Sequence, residues 1–130
     1  MSTLPFYLTK RVCTAGLLSL SVMCSIAAAP QDSPQATNSE IAKLVETAED
    51  SMQKESWSDA VNAWKAASDA APDSAEIAYN LGVAAYREGQ FEFSAEAFER
   101  AASLGDADLA ATAMYNEGTA RYAGALERLN

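Results

Sequence analysis

The stretch Tyr79-Asn80-Leu81-Gly82-Val83-Ala84-Ala85-Tyr86 returns 36 residues later as Tyr115-Asn116-Glu117-Gly118-Thr119-Ala120-Arg121-Tyr122, with five identities in eight positions. A second self-match runs in the other direction at an offset of 34, pairing Ala48 with Gly82, Met52 with Tyr86, Trp57 with Phe91, Ala60 with Ser94, Trp64 with Phe98, Ala67 with Ala101 and Ala70 with Leu104. Small residues fall on small and large on large. Within each copy the apolar positions recur at three- and four-residue spacing (Trp57, Ala60, Val61, Trp64, Ala67), the period of a helix, and no stretch alternates as a strand does. Ala fills 24 of the 101 positions after Ala29, which favours helix because Ala loses no side-chain entropy there. A repeat of this length built from paired helices predicts an all-α solenoid of helical hairpins: two full repeats, about 41–74 and 75–108, and a half repeat with cap over 109–130.

The expected helices are 39–54, 57–70, 74–88, 91–104 and 107–128. Capping-box patterns mark their starts at Thr37 with Glu40, Ser56 with Asp59, and Asp73 with Glu76, and Asp106 reads as a further N-cap. Pro72, Gly89 and Gly105 punctuate the ends, while Glu55 stands where the second repeat has its turn glycine, Gly89. The small pairs Ala48/Ala60 and Gly82/Ser94 belong where the two helices of a hairpin approach most closely. Trp57, Trp64, Phe91 and Phe98 are expected to fill the space between hairpins. In the last helix Glu117 and Arg121 replace Leu81 and Ala85, an i,i+4 pair suited to a solvated face, so this helix reads as a polar terminal cap. A longer array cut at Asn130 would show the same pattern.

The amino terminus has a different character. Lys10-Arg11 precede an uncharged stretch, Val12 to Ala29, with the apolar run 16–26 at its centre, closing on Ala27-Ala28-Ala29-Pro30. This is the pattern of an export signal over 1–29, followed by a flexible linker over 30–38 and the helical domain over 39–130. An uncleaved anchor and a lipoprotein cut before Cys24 are the alternatives, and each places the body outside the cytoplasm, periplasmic or secreted. The whole chain carries 9 Lys and Arg against 18 Asp and Glu, a formal charge of -9. Such a surface repels phosphate backbones and anionic headgroups, so nucleic acid is not expected as a partner; with the export segment removed, no membrane span is expected in the mature chain.

There is no His, and both Cys (Cys13, Cys24) lie in the export segment. Imidazole acid/base chemistry, thiol nucleophiles and His/Cys zinc sites are therefore absent from the body. Carboxylates are scattered along helix faces, with Asp50/Lys54 and Glu96/Arg100 reading as ordinary helical ion pairs. The expectation is no enzyme, no catalytic residue, no metal and no cofactor. What remains is a surface: residues three or four apart share a helix face, so Tyr79, Val83, Tyr86 and Arg87 would be presented beside Tyr115, Thr119 and Tyr122. Tyr offers large contact area at low entropic cost with a polar tip.

On the Tyr-Asn-Leu-Gly run, Gly89 and Phe91 at the turn, Phe98, Ala101 and the first-repeat set Ala48, Trp57, Ala60, Trp64, Ala67 and Pro72, the chain resembles the tetratricopeptide repeat (TPR) family over about 90 residues. Thr47 and Glu55 depart from the pattern. The run from Ala75 to Tyr122 looks more narrowly like bacterial tetratricopeptide proteins of aerotolerance-type operons. The resemblance implies a protein-interaction module or scaffold, holding a protein or peptide segment on its concave face, with Asn80 and Asn116 gripping the backbone of an extended peptide; the export signal places it in the cell envelope or secreted space. Arg87 is the one strong cation on that surface, which disfavours carboxylate-tail recognition, and an acidic protein suits a basic or neutral partner. The alternatives are a binding protein for a small apolar ligand, and a homo-oligomer joined through the first hairpin at Ile41, Leu44, Val45 and Trp57.

Overall fold

The computed structural model describes residues 36–130. The export segment and most of the expected linker lie outside them. The linker's last position, Asn38, is the first residue of a helix. Five α-helices follow one another: α1 (Asn38–Gln53), α2 (Trp57–Ala70), α3 (Ala75–Glu88), α4 (Phe91–Leu104) and α5 (Ala107–Glu127). Each packs chiefly on the next, and α3 also touches α5. The architecture is an all-α stack of helical hairpins, with α1/α2 and α3/α4 as the two full pairs. None of the described helices is long and apolar enough to cross a membrane.

The hairpin turns repeat as the sequence does. Glu55 (φ 56°) and Gly89 (φ 83°) both sit in the left-handed region, and 34 residues apart the Ser56 N–H donates to the Ser51 carbonyl (2.9 Å) and the Gln90 N–H to the Ala85 carbonyl (2.9 Å). This is the Schellman closure, whose left-handed residue is usually Gly because a Cβ crowds the carbonyl there. Starts are less uniform. Thr37 and Glu40 form the full capping box, and Asp106 accepts from the Leu109 N–H at 2.9 Å. Two expected boxes are corrected. Ser56 makes no side-chain cap bond, its ψ of 74° being far from the extended values at Thr37 (154°) and Asp106 (175°). At α3 the cap is Ser74, one residue beyond Asp73, with its Oγ accepting from the Ile77 N–H.

The core forms two clusters joined through α3. Ala48, Ala60, Val61, Trp64 and Ala67 meet Ile77, Leu81, Ala84 and Ala85 on one side. Ala78, Tyr79 and Val83 meet Ala95, Phe98, Ala101, Leu109, Ala113 and Ala120 on the other. Every residue of α3 from Ala75 to Ala85 except Glu76 is buried, as a central helix apolar all round must be. The small pairs do mark the close crossings. The Ser94 Oγ donates to the Gly82 carbonyl at 2.8 Å, and a Cβ on Gly82 would lie 2.8 Å from two ring carbons of the fully buried Phe98. Trp64 occupies the place equivalent to Phe98, with its Nε1–H donating to the Met52 sulfur at 3.0 Å. Trp57 and Phe91 are only half-buried, and Arg87 lies over the Trp57 ring at 5.6 Å, a cation on an aromatic face.

Of the two expected ion pairs, Asp50–Lys54 forms on an open surface. Arg100 instead leaves Glu96 and reaches across to α2 and the following loop, donating to the Ser68 hydroxyl (3.0 Å) and the Pro72 carbonyl. Ser68 is buried, and a buried hydroxyl outcompetes a solvated carboxylate because its alternative is to remain unpaired.

Candidate binding groove

The expected row of groove residues separates into three environments. Tyr79, Val83 and Asn116 are buried, at 0, 3 and 1% exposure. They belong to the α3/α5 packing and not to an open surface. The Asn116 Nδ2 donates to the Tyr79 hydroxyl at 2.8 Å, and the Tyr79 ring stands edge-on to Phe98 at 5.4 Å. Tyr86 is half-buried edge-on to Phe91, and Arg87 is exposed above Trp57. Tyr115 and Tyr122 are largely exposed on the outer side of α5, at 71 and 66%, with the half-buried Thr119 between them bonding the Tyr115 carbonyl. The tyrosines therefore form no continuous surface.

Asn80 has a different fate from its repeat equivalent Asn116, although both are buried. Its Oδ1 has no hydrogen-bond partner, the one such buried side-chain atom among the described residues. The reason lies in α1, the equivalent helix of the first hairpin. Asn116 meets Tyr79 on α3, but the residue 34 positions before Tyr79 is Val45 on α1, which has neither a hydroxyl nor the bulk of a ring. The space that Tyr79 fills between α3 and α5 is thus left open between α1 and α3. There a groove of about 510 Å3 is lined by Ile41, Val45, Trp64 and Ile77 along its apolar floor, with Glu49, Glu76 and Asn80 supplying polar groups. The trough thus combines an apolar floor with one buried oxygen free to accept a hydrogen bond.

The sequence marks Asn80 as a groove residue, but marks Ile41 and Val45 only as a face for self-association, Trp64 as core and Glu76 as a capping partner, and gives Ile77 and Glu49 no role. The available signal was the Val45/Tyr79 mismatch within an otherwise size-matched repeat. A smaller cleft of about 360 Å3 between α4 and α5 is lined by Glu92, Glu96, Arg121 and Arg128, whose opposite charges face one another, with Arg128 bonded to Glu92. Among the described residues no three metal-ligating side chains gather to hold an ion. No family model, no curated protein and no solved structure matches this chain.

Proposed function

We propose that the chain is an exported interaction module of the tetratricopeptide type that holds an extended segment of a partner protein in the groove between α1 and α3. The observation that carries this reading is the orphaned Oδ1 of Asn80 at an apolar trough. A buried unpaired acceptor costs about 1–3 kcal/mol, and a ligand N–H that pairs with it recovers that cost. Asn80 accepts from the peptide backbone, Val45, Ile41 and Ile77 receive a side chain, and Glu49 with Glu76 select a basic or neutral segment over an acidic one. The trough is bordered by the partly exposed Ile41, Val45, Glu49 and Glu76 and is not an enclosed cavity, which suits an extended chain better than a small enclosed ligand. The basic-then-apolar amino terminus supports export, and the 34-residue period supports the family.

The test is selection of random displayed peptides on the full chain, followed by binding measurements with Val45→Tyr and Asn80→Leu. Val45→Tyr copies the α3/α5 interface into the α1/α3 one, filling the trough and offering Asn80 a hydroxyl. Both variants should melt higher than the parent and lose the selected peptides. Peptides that bind Val45→Tyr as well as they bind the parent would place the site elsewhere.

A further inference from the structure

The outer face of α5 is not the polar cap that Glu117 and Arg121 promised. Five of the six exposed large hydrophobics among the described residues lie on this helix or just past its end: Met114 (63%), Tyr115 (71%), Tyr122 (66%), Leu126 (43%) and Leu129 (82%). The inner face, Leu109, Ala113, Asn116, Ala120 and Gly124, is buried, so the helix is apolar on two opposite sides. A helix covered by α4 and α3 along one side needs only that side apolar. By contrast Ile41, Leu44 and Val45 of the first hairpin are half-buried and packed on the core, with Ile41 and Val45 on the floor of the trough, whereas the α5 stripe is exposed at the other end of the stack.

The outward stripe has a seam. Ala111, Tyr115, Gly118, Tyr122, Ala125 and Leu129 follow one another at alternating spacings of four and three, the spacing that keeps a line of residues facing a partner helix over about 28 Å. All six are exposed. Along the seam small residues (Ala111, Gly118, Ala125) alternate with large ones (Tyr115, Tyr122, Leu129). Gly118 has no intramolecular reason to be glycine: a Cβ there would meet nothing within 4 Å, whereas its equivalent Gly82 is the seat of the Phe98 ring. A mid-helix glycine facing open space, in a line of exposed apolar residues, is a seat without its occupant.

We propose that the occupant is a second copy of this chain, docked by an antiparallel α5–α5 contact about a two-fold axis near Ala120. In that register Tyr122 faces the other copy's Gly118, Tyr115 its Ala125, and Leu129 its Ala111, so that every large residue meets a small one in an isologous interface. In the same register each Arg121 comes level with the other copy's Thr119, so the two Arg121 side chains approach beside the axis, each carrying its own Glu117 along the same edge. The carboxylate neutralises the approach of the two guanidinium groups. Arg121 already bridges Glu117 (2.8 Å) and Glu99 (3.3 Å), and this acidic neighbourhood holds its proton more tightly than usual. The groove between α1 and α3 stays free in the pair, so this contact stands or falls separately from the peptide site.

The experiment is sedimentation equilibrium of the full chain beside Gly118→Leu. The leucine enters open space in the single chain, so helicity and cooperative melting are retained, but it obstructs the seat of Tyr122 from the other copy. The parent should be dimeric and Gly118→Leu should weaken the dimer by about tenfold or more. Added salt should tighten the parent dimer, because two copies of formal charge -9 repel at a distance, whereas a basic partner would be released by salt. In a Cys13→Ser, Cys24→Ser background, Ala111→Cys mixed with Leu129→Cys should cross-link through a short bifunctional reagent, and neither should do so alone. A parent that sediments as a monomer at all accessible concentrations overturns the proposal. So does a dimer indifferent to Gly118→Leu, or cross-linking of Ala111→Cys with itself.

Discussion

One substitution made at two equivalent places should have opposite effects. Gly82 and Gly118 occupy the same position in successive copies of the Tyr-Asn repeat, and in both the change to Ala removes the backbone freedom of a mid-helix glycine, a gain of about 1 kcal/mol. At Gly118 that gain stands alone, since the new Cβ meets nothing within 4 Å. At Gly82 the Cβ arrives 2.8 Å from Cδ1 and Cε1 of Phe98. That ring is fully buried and held against Tyr79, while the Gly82 carbonyl is tied to Ser94, so neither helix nor ring gives way freely. Forcing a methyl group into such packing costs about 1–3 kcal/mol. Taking the upper part of that range, because the clash is with a ring that has no empty space beside it, the net change is a loss of about 1–2 kcal/mol. Gly118→Ala should therefore raise the melting temperature by about 4–8 °C and Gly82→Ala lower it by a similar amount or more. Urea and thermal unfolding followed by far-ultraviolet circular dichroism give both values, at dilution so that self-association does not contribute. Equal shifts of the same sign would refute the claim that Gly82 is a contact glycine and Gly118 a solvent-facing one.

Other expectations follow from single contacts. Glu55→Gly removes a side chain from a left-handed backbone position (φ 56°) and should stabilise the fold by about 1 kcal/mol in urea unfolding, as the glycine at Gly89 already does in the second hairpin. Arg100→Ala strips the buried Ser68 hydroxyl of its partner and releases the Pro72 carbonyl, at a cost of about 1–3 kcal/mol, whereas Glu96→Ala should leave the melting temperature within about 1 °C of the parent. The backbone and side-chain hydrogen bonds from Thr37 hold the Glu40 carboxyl below its ordinary value. Its contribution is thus present above the unfolded carboxylate pKa and is lost as pH falls through the lower folded value. Helix α1 should fray on acidification from pH 5, and Glu40→Gln should flatten that dependence in amide exchange at residues 38–42.

The helices were legible because their signals are local. Alanine content, caps and the 34-residue period place each of the five within one residue at either end, and the size match of Gly82/Ser94 with Ala48/Ala60 located the crossings. The surface was less legible, because a period says where a residue stands in its helix and not which neighbours surround it. Tyr79 and Asn116 look like recognition residues in isolation, yet α3 is packed between α2 on one side and α4 and α5 on the other, and both residues go into that packing. The groove arises where that arrangement lapses, at Val45, a residue with no motif of its own whose meaning depends on the tyrosine one repeat later. The outer face of α5 is hard to see in the sequence for a related reason: the Glu117–Arg121 pair is polar, but it lies on the flank of a stripe whose centre is Gly118 and Tyr122.

The central claim, that the trough beside Asn80 is where a partner segment lies, is tested most directly by amide chemical-shift mapping of the full chain with a peptide selected on it. The account predicts that the largest shifts fall at 41–49 and 74–80, together with the Asn80 side-chain amide and the Trp64 indole N–H. Shifts confined to 111–129, with Asn80 unmoved, would contradict it.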